Sequence, residues 1–470
     1  MSLSSALNAA STGLATTQTQ TQVVADNIAN AMTPGYVQRE AVIVTTSTGG
    51  SAVSEVRRDV DAALVRMART ESGKMASLEA IQEGLTSYTL YLGQPGDGLS
   101  PADKFSAFNT AMTTLVNMPS STGAQTAAVY AAEDLAASIR GASDTLGSLQ
   151  VEVDMEIRYE VADLNQALYD LADLNKTMRD YEPGTIEAAQ VADSMDGLLD
   201  QVAEIVGVRI TESSDGQISV YTTGGAALLE GTQVQDVTYS AGDGRFFAGE
   251  AEITPGVDGV RGIEEGSLAG LAELNGDILP RFQLQLDEYA RGLIEAFEGA
   301  DASLSAGEAG LFTDNGSAFD ATELNGLASR IRVNDAVSSS GDSEVWRMRD
   351  GMSATAEGAA SDATQIQGFI DALDTPVGAD ADTGLYAGIS VADFAAEMIS
   401  SQSAERARVE SSYNAAVSAA EMVQASRENV EGVSIDDELQ QLMLIEQSYA
   451  ANSKMLTAVA EMLDTLLAAV

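Results

Sequence analysis

Apolar positions near the amino terminus recur at Leu3, Leu7, Ala10, Leu14, Thr17, Thr21, Val24 and Ile28. Steps alternating between four and three describe a heptad seam on a helix. The seam is thin and rich in Ala and Thr. It stops before Thr33-Pro34-Gly35, where proline cannot continue a helix and glycine permits a turn. The other end of the chain repeats the design. Ser434-Ile435-Asp436-Asp437 has the form of a helix N-cap with acids suited to the helix dipole. A second seam then runs through Leu442, Ile445, Tyr449, Asn452, Leu456, Val459, Leu463, Leu466 and Val470. Neither terminal helix has another apolar surface close to it in sequence, so each is expected to bury its seam against the other or against neighbouring subunits. Two ordinary terminal helices of a globular bundle are the plainer alternative. Continuation of the stripe to Val470 favours self-association, because domain termini usually fray.

Between the ends lie long helical stretches. Val56, Val60, Leu64, Met67, Leu78, Ile81, Leu85, Tyr88 and Leu92 mark one, closed by Gly93-Gln94-Pro95-Gly96. Leu146, Leu149, Val153, Ile157, Leu164, Leu168, Leu171 and Met178 mark another, closed by Pro183-Gly184. Phe394, Met398, Tyr413, Val417, Ala420 and Val423 mark a late one running back toward the terminal helix. Leu271 to Phe297 also reads as helix, with Pro280 at its first turn or breaking it. From Gly207 to Gly262 the period changes. Val208-Arg209-Ile210 and Ile218-Ser219-Val220 alternate around Ser214-Asp215-Gly216, a hairpin signal, and short runs follow at Val234 to Tyr239 and Phe246 to Ile253. Residues 300 to 345 and 374 to 388 read as loops with an isolated strand at Ile331-Arg332-Val333. The expected fold is mainly α: paired coiled-coil-like terminal helices, a long-helix bundle and a small β-rich insertion. Its parts are 1–36 with 432–470 for the terminal pair, 37–206 with 265–300 and 345–431 for the bundle, and 207–264 with 301–344 for the β-rich and loop region.

Composition narrows the chemistry. The 470 residues suit two to four domains, and 45% apolar content supports real burial. Acids outnumber bases by 71 to 24, a formal charge of -47, so nucleic acid and anionic lipid are repelled. The first basic residue is Arg39 and no run of about 18 apolar residues occurs, so neither a Sec signal nor membrane insertion is expected.

Cys and His are both absent, which removes disulfides, thiol nucleophiles, imidazole bases and the usual transition-metal ligands. Neither Gly73-Lys74 nor Gly242-Asp243-Gly244 completes a phosphate loop or a GxGxxG turn. Asp380-Ala381-Asp382-Thr383-Gly384 opens like a calcium loop, yet Gly384 takes the next ligand position and no Glu closes it. A glycosidase needs only two carboxylates, but no pair is singled out and Trp346 is the one Trp available to stack on sugars. No catalytic residue, cofactor or metal is therefore expected.

Asp26-Asn27-Ile28-Ala29-Asn30-Ala31-Met32-Thr33-Pro34-Gly35-Tyr36 closely resembles the N-terminal signature of the flagellar rod, hook and hook-associated proteins. Its continuation Val37-Gln38-Arg39 is most like the junction-forming members. Glu438-Leu439-Gln440-Gln441-Leu442, with Glu446-Gln447-Ser448-Tyr449-Ala450-Ala451-Asn452-Ser453-Lys454, is similar to the family's C-terminal signature. Glu461-Met462-Leu463-Asp464-Thr465-Leu466-Leu467 resembles the junction members' ending. Looser likeness surrounds Arg58-Asp59-Val60-Asp61 and Gly270-Leu271-Ala272-Glu273-Leu274-Asn275. Met32, where Asn is common, and the small β region depart from the pattern.

The resemblance implies a non-enzymatic extracellular subunit of the bacterial flagellum, exported through the flagellar type III apparatus without a cleaved signal. Its expected partners are an export chaperone at the C-terminal region, the hook protein, a neighbouring hook-associated junction protein, and copies of itself in a ring or helical layer. The terminal helices would form the inner tube, with an assembly interface of Leu3, Leu7, Leu14, Val24, Ile28, Leu442, Ile445, Tyr449, Leu456, Val459, Leu463 and Leu466. Asn27, Asn30, Pro34, Gly35 and Tyr36 would form the corner joining that tube to the next domain. Another axial protein, hook or distal rod, and more remotely a carboxylate-dependent secreted hydrolase, are the alternatives.

Overall fold

A computed structural model describes residues 3–47, 49–92, 97–386 and 388–468. The expected helix stop at Gly93-Gln94-Pro95-Gly96 and the seam's last position, Val470, lie outside the described residues. Helix α1 (Leu3–Asn30) leads into an antiparallel hairpin of β1 (Arg39–Thr45) and β2 (Ser51–Arg58), with Ala41 opposite Val56. Four helices follow: α2 (Ala62–Leu92), α3 (Pro101–Asn117), α4 (Thr122–Met178) and α5 (Ile186–Ile205). Strands β3 (Val208–Glu212), β4 (Ile218–Thr222), β5 (Ala227–Glu230) and β6 (Gln233–Val234) form one antiparallel sheet in that order. Strands β7 (Val237–Ser240), β8 (Arg245–Ala248) and β9 (Ala251–Glu252) form another. Helix α6 (Ser267–Glu273) passes through a π turn, Leu274–Ile278, into α7 (Leu279–Ala300). Short elements β10 (Phe312–Asp314), α8 (Leu327–Arg330), β11 (Ile331–Val333), α9 (Arg347–Asp350) and α10 (Thr364–Leu373) come next. After β12 (Pro376–Val377) and β13 (Ile389–Ser390), α11 (Val391–Glu431) and α12 (Ile435–Ala468) complete the order.

The chain divides into two compact units. One holds Met1–Ser77, Arg158–Ala269 and Asn414–Val470, and the other Leu78–Ile157 and Gly270–Tyr413. The stretches 207–264 and 301–344, grouped together by their composition, thus fall in different units. In the second unit the core is aromatic: Phe108, Phe297 and Phe312 meet edge-on or tilted at 5.2 to 5.8 Å, and Phe369 packs on Phe297 at 5.0 Å. Pairs of this geometry add to the burial of their large area. In the first unit two amides of α4 hold the sheets. Asn175 bonds the Ile218 amide and carbonyl at 2.8 Å each, and Asn165 bonds those of Val237 at 2.7 and 2.8 Å. Each side chain stands in for one more peptide group at the end of a ladder, so the sheet is mounted on the helix without orphaned backbone.

Several expectations change. Val56 and Val60 do not lie on α2: Val56 belongs to β2, and α2 begins at Ala62 with the Asp61 carboxylate accepting from the Ala63 and Leu64 amides at 2.8 and 3.2 Å. Alternation in Arg39–Thr45 and Ser51–Arg58 is the strand signal that the helical reading overrode. Met67 faces solvent rather than core. Ile331–Val333 is not an isolated strand, because it pairs with β10. Pro280 does sit in the first turn of α7. The π turn ahead of it absorbs the bond that proline cannot donate. Asp380 caps a short turn through the Asp382 amide at 2.9 Å. Helices α3 and α5 went unread although Ser100 and Thr185 cap them, accepting from the Asp103 and Ala188 amides.

Candidate assembly site

Helices α1 and α12 pack antiparallel. Two contacts fix the same register: Gly13 faces Asn452, with room for no Cβ nearer than 2.7 Å to its amide nitrogen, and Asn27 bonds Glu438 at 2.9 Å. Along this seam Val24, Ile445 and Val459 are buried, and Leu3, Leu14, Ile28, Leu442 and Leu456 are half-buried. Leu7, Tyr449, Leu463 and Leu466 remain exposed. So does Thr21.

Contrary to expectation, α1 does have an apolar surface close to it in sequence. The β1–β2 hairpin lies on it: Val23 clusters with Ala41 and Val56, and the Ser51 hydroxyl bonds Thr16 at 3.1 Å. That second face buries Thr16, Val23 and Asn27, none of which is on the heptad seam. Threonine hydroxyls on α1 bond carbonyls of the preceding turn, Thr16 to Thr12 at 3.0 Å and Thr21 to Thr17 at 2.8 Å. They therefore enter packed or dry surroundings already satisfied.

At the corner, Asn27 is fully buried and uses all of its amide capacity. Its Nδ2 donates to the Arg39 carbonyl and to Glu438 Oε1, both at 2.9 Å, while Oδ1 accepts from the Tyr36 hydroxyl at 2.9 Å and the Arg39 amide at 3.1 Å. Gln38 adds a second bond to Glu438 Oε1 at 2.8 Å, and its own amide donates to the Glu431 carbonyl. Burial pushes the Tyr36 phenol up to about 12 against the opposing pull of Arg39, whose guanidinium lies 4.8 Å from the ring centre. Asn30 closes the helix end, donating to the Asp26 carbonyl at 2.9 Å. Pro34 and Gly35 are exposed, and Gly35 takes the left-handed conformation, φ 76°, that the reversal requires.

Beneath the corner runs a ladder of ion pairs that sequence reading did not find. Arg39 meets Asp193; Arg58 bridges Asp193 at 2.7 Å and Asp196; Arg69 bridges Asp196 at 2.8 Å and Asp200 at 2.6 Å; Arg427 bridges Asp200 and Glu431, both at 2.8 Å. The three aspartates stand at i, i+3 and i+7 on α5, hence on one face. Each is shared by two guanidiniums from elements distant in sequence. Burial opposes charge on Arg58 and Asp196, but their mutual attraction outweighs it, so Arg58 is held above its ordinary pKa and Asp196 below its own. The spacing of Asp193, Asp196 and Asp200 was the available signal. Without their partners it reads as a solvated face.

Outside the seam, α12 leaves Leu439, Met443, Leu444, Met455 and Met462 exposed, Leu444 at 66%. Nothing among the described residues covers them. No group of three or more acidic side chains among the described residues is placed to hold a metal ion, and no described helix is long and apolar enough to cross a membrane.

Sequence profiles of three protein families match the chain. The flagellar hook-associated protein FlgK helical domain matches residues 89–307, the flagellar basal body rod FlgEFG protein C-terminal region residues 425–469, and the flagella basal body rod protein residues 7–36. Flagellar hook-associated protein 1 of Salmonella typhimurium is 23% identical over 333 residues, covering 65% of this chain and 59% of that protein. Its counterpart in Escherichia coli is 23% identical over 327 residues with the same coverage. The chain spans about three fifths of the length of these curated relatives. Among solved structures, the flagellar hook junction protein FlgK from Burkholderia pseudomallei aligns with a TM-score of 0.43 at 20% identity, over 53% of this chain and 46% of that one.

Proposed function

We propose that the chain belongs to the flagellar rod, hook and hook-associated proteins and is a structural, non-enzymatic subunit of the junction between hook and filament. The observation that carries the reading is the terminal pair. Helix α12 shares one face with α1 and, outside it, leaves Leu439 and Met443 on one side and Leu444, Met455 and Met462 on the other open to solvent. Exposed apolar surface of that extent on one helix marks an association site. Copies of this chain or axial neighbours cover it on assembly, and the α1–α12 pair then forms the inner wall of the tube. The corner around Asn27 sets the angle at which the pair leaves the rest of its unit.

On this reading the chain leaves the cell through the flagellar type III apparatus with a chaperone on its C-terminal region, and α12 becomes fully ordered when neighbours cover it. The long helices form the surrounding wall and the β-rich stretch lies outward. Deleting the gene and imaging the cell surface by electron microscopy tests the placement. Hooks without filaments, with flagellin released into the medium, are expected. Loss of the hooks themselves would move the protein to the hook or rod, and normal full-length flagella would end the reading.

A further inference from the structure

Sulfur chemistry on this chain is confined to methionine, because cysteine is absent and no faster-reacting thiol is present to take an oxidant first. Burial separates the methionines. Met112, Met348 and Met398 are 0% exposed, in the core of the second unit. All three methionines of α12, Met443, Met455 and Met462, stand 49 to 56% exposed, whereas α1 carries none. Met455 and Met462 are seven residues apart and share a side of the helix with Leu444, while Met443 lies on the other open side, one turn from Leu439. Met32 and Met422 are exposed as well, but they belong to the corner loop and to α11.

We propose that Met443, Met455 and Met462 are oxidative modification sites through which a peroxide switches α12 out of assembly. The step is a two-electron oxygen transfer. The O–O bond of hydrogen peroxide breaks, one oxygen forms an S=O bond to the thioether sulfur, and the other leaves as water, so sulfur is oxidised and the peroxide reduced. A flexible apolar side chain thereby becomes polar on the surface that a neighbour has to cover. Burying the new sulfoxide oxygen without a donor opposes that contact. The core methionines are out of reach of the oxidant, so the fold outlasts the modification. The inference rests on the assembly role proposed for α12 and adds to it a dependence on oxidant.

The test treats the full chain with hydrogen peroxide and follows each methionine by peptide mass spectrometry. Met443, Met455 and Met462 are expected to form sulfoxide at least about tenfold faster than Met112, Met348 and Met398. Comparable rates overturn the sites, whether or not the chain assembles. Treated and untreated chain, fluorescently labelled, are then added to cells lacking the gene, and label on hooks is counted by microscopy. Treated chain is expected to incorporate about tenfold less with an unchanged thermal melt, and the incorporated fraction to be depleted in sulfoxide at the three α12 positions but not at Met32 or Met422. A chain carrying Met443→Leu, Met455→Leu and Met462→Leu together should incorporate equally with and without peroxide. Persistent peroxide sensitivity in that variant, or equal sulfoxide at the three positions in incorporated and excluded chain, overturns the switch. Untreated chain that never reaches hooks overturns the axial role and the switch with it, while the oxidation rates still decide the sites.

Discussion

Helices α1 and α12 carry equivalent seams, yet they live in different surroundings. Helix α1 is covered twice, by α12 along the seam and by the β1–β2 hairpin along a second face, and so buries Val23 and Asn27 as well as Val24. Helix α12 is covered once, and its remaining apolar side chains face water. The difference teaches that matching amphipathic patterns do not imply matching burial. What a helix face is worth depends on which elements the chain returns to it. Within its unit α1 is covered on two faces, whereas α12 leaves apolar side chains open to solvent.

The comparison breaks first if the shared base fails. Asp196→Ala leaves Arg58 and Arg69 each short of a carboxylate, and a loss of about 3 to 5 kcal/mol in urea unfolding is expected, loosening both helices together. The same ladder gives a pH signature. Because the Asp196 pKa is depressed on folding, its contribution is complete above the unfolded value of about 3.9 and is lost as pH falls through the folded value. Acid titration followed by circular dichroism should show steeper loss below about pH 4 in the native chain than in Asp196→Asn.

Asn27→Ala comes next, at about 2 to 3 kcal/mol, since the Tyr36 hydroxyl and the Arg39 backbone groups lose a buried partner. Hydrogen exchange should show faster opening at the corner. A change confined to the α1 tip would count against the corner's role. Val23→Ala tests the hairpin face and should cost about 1 to 2 kcal/mol by chemical denaturation. If it cost nothing, α1 would be no better covered than α12. The smallest effect sharpens the contrast most: Leu444→Glu should change monomer stability by less than about 0.5 kcal/mol, yet abolish incorporation into flagella as seen by microscopy. A destabilised monomer would mean that this face is already packed.

Much of the corner was legible. Asn27, Asn30, Pro34, Gly35 and Tyr36 stand where a helix ends and the chain reverses, and the structure places them there. Glu438, Gln38 and Arg39 lie within signature motifs, but the bonds from Asn27 and Gln38 to Glu438 span 411 and 400 residues and no local pattern encodes them. The hairpin on α1 was hidden differently. Its valines also fit a helical spacing continued into α2, and the period-2 signal lost to the longer stripe.

The sequence by itself determined both terminal seams, the Ser434 cap, the β3–β4 hairpin, the long α4 stripe, and the exclusion of thiol and imidazole chemistry. These depend on residue type and on spacing within one element, which the backbone period converts directly into a face. Only the tertiary structure decided that α1 buries two faces and α12 one, and that three aspartates of α5 meet four arginines. Burial and pairing are properties of what lies opposite, and opposite faces are brought together by chain segments hundreds of residues apart.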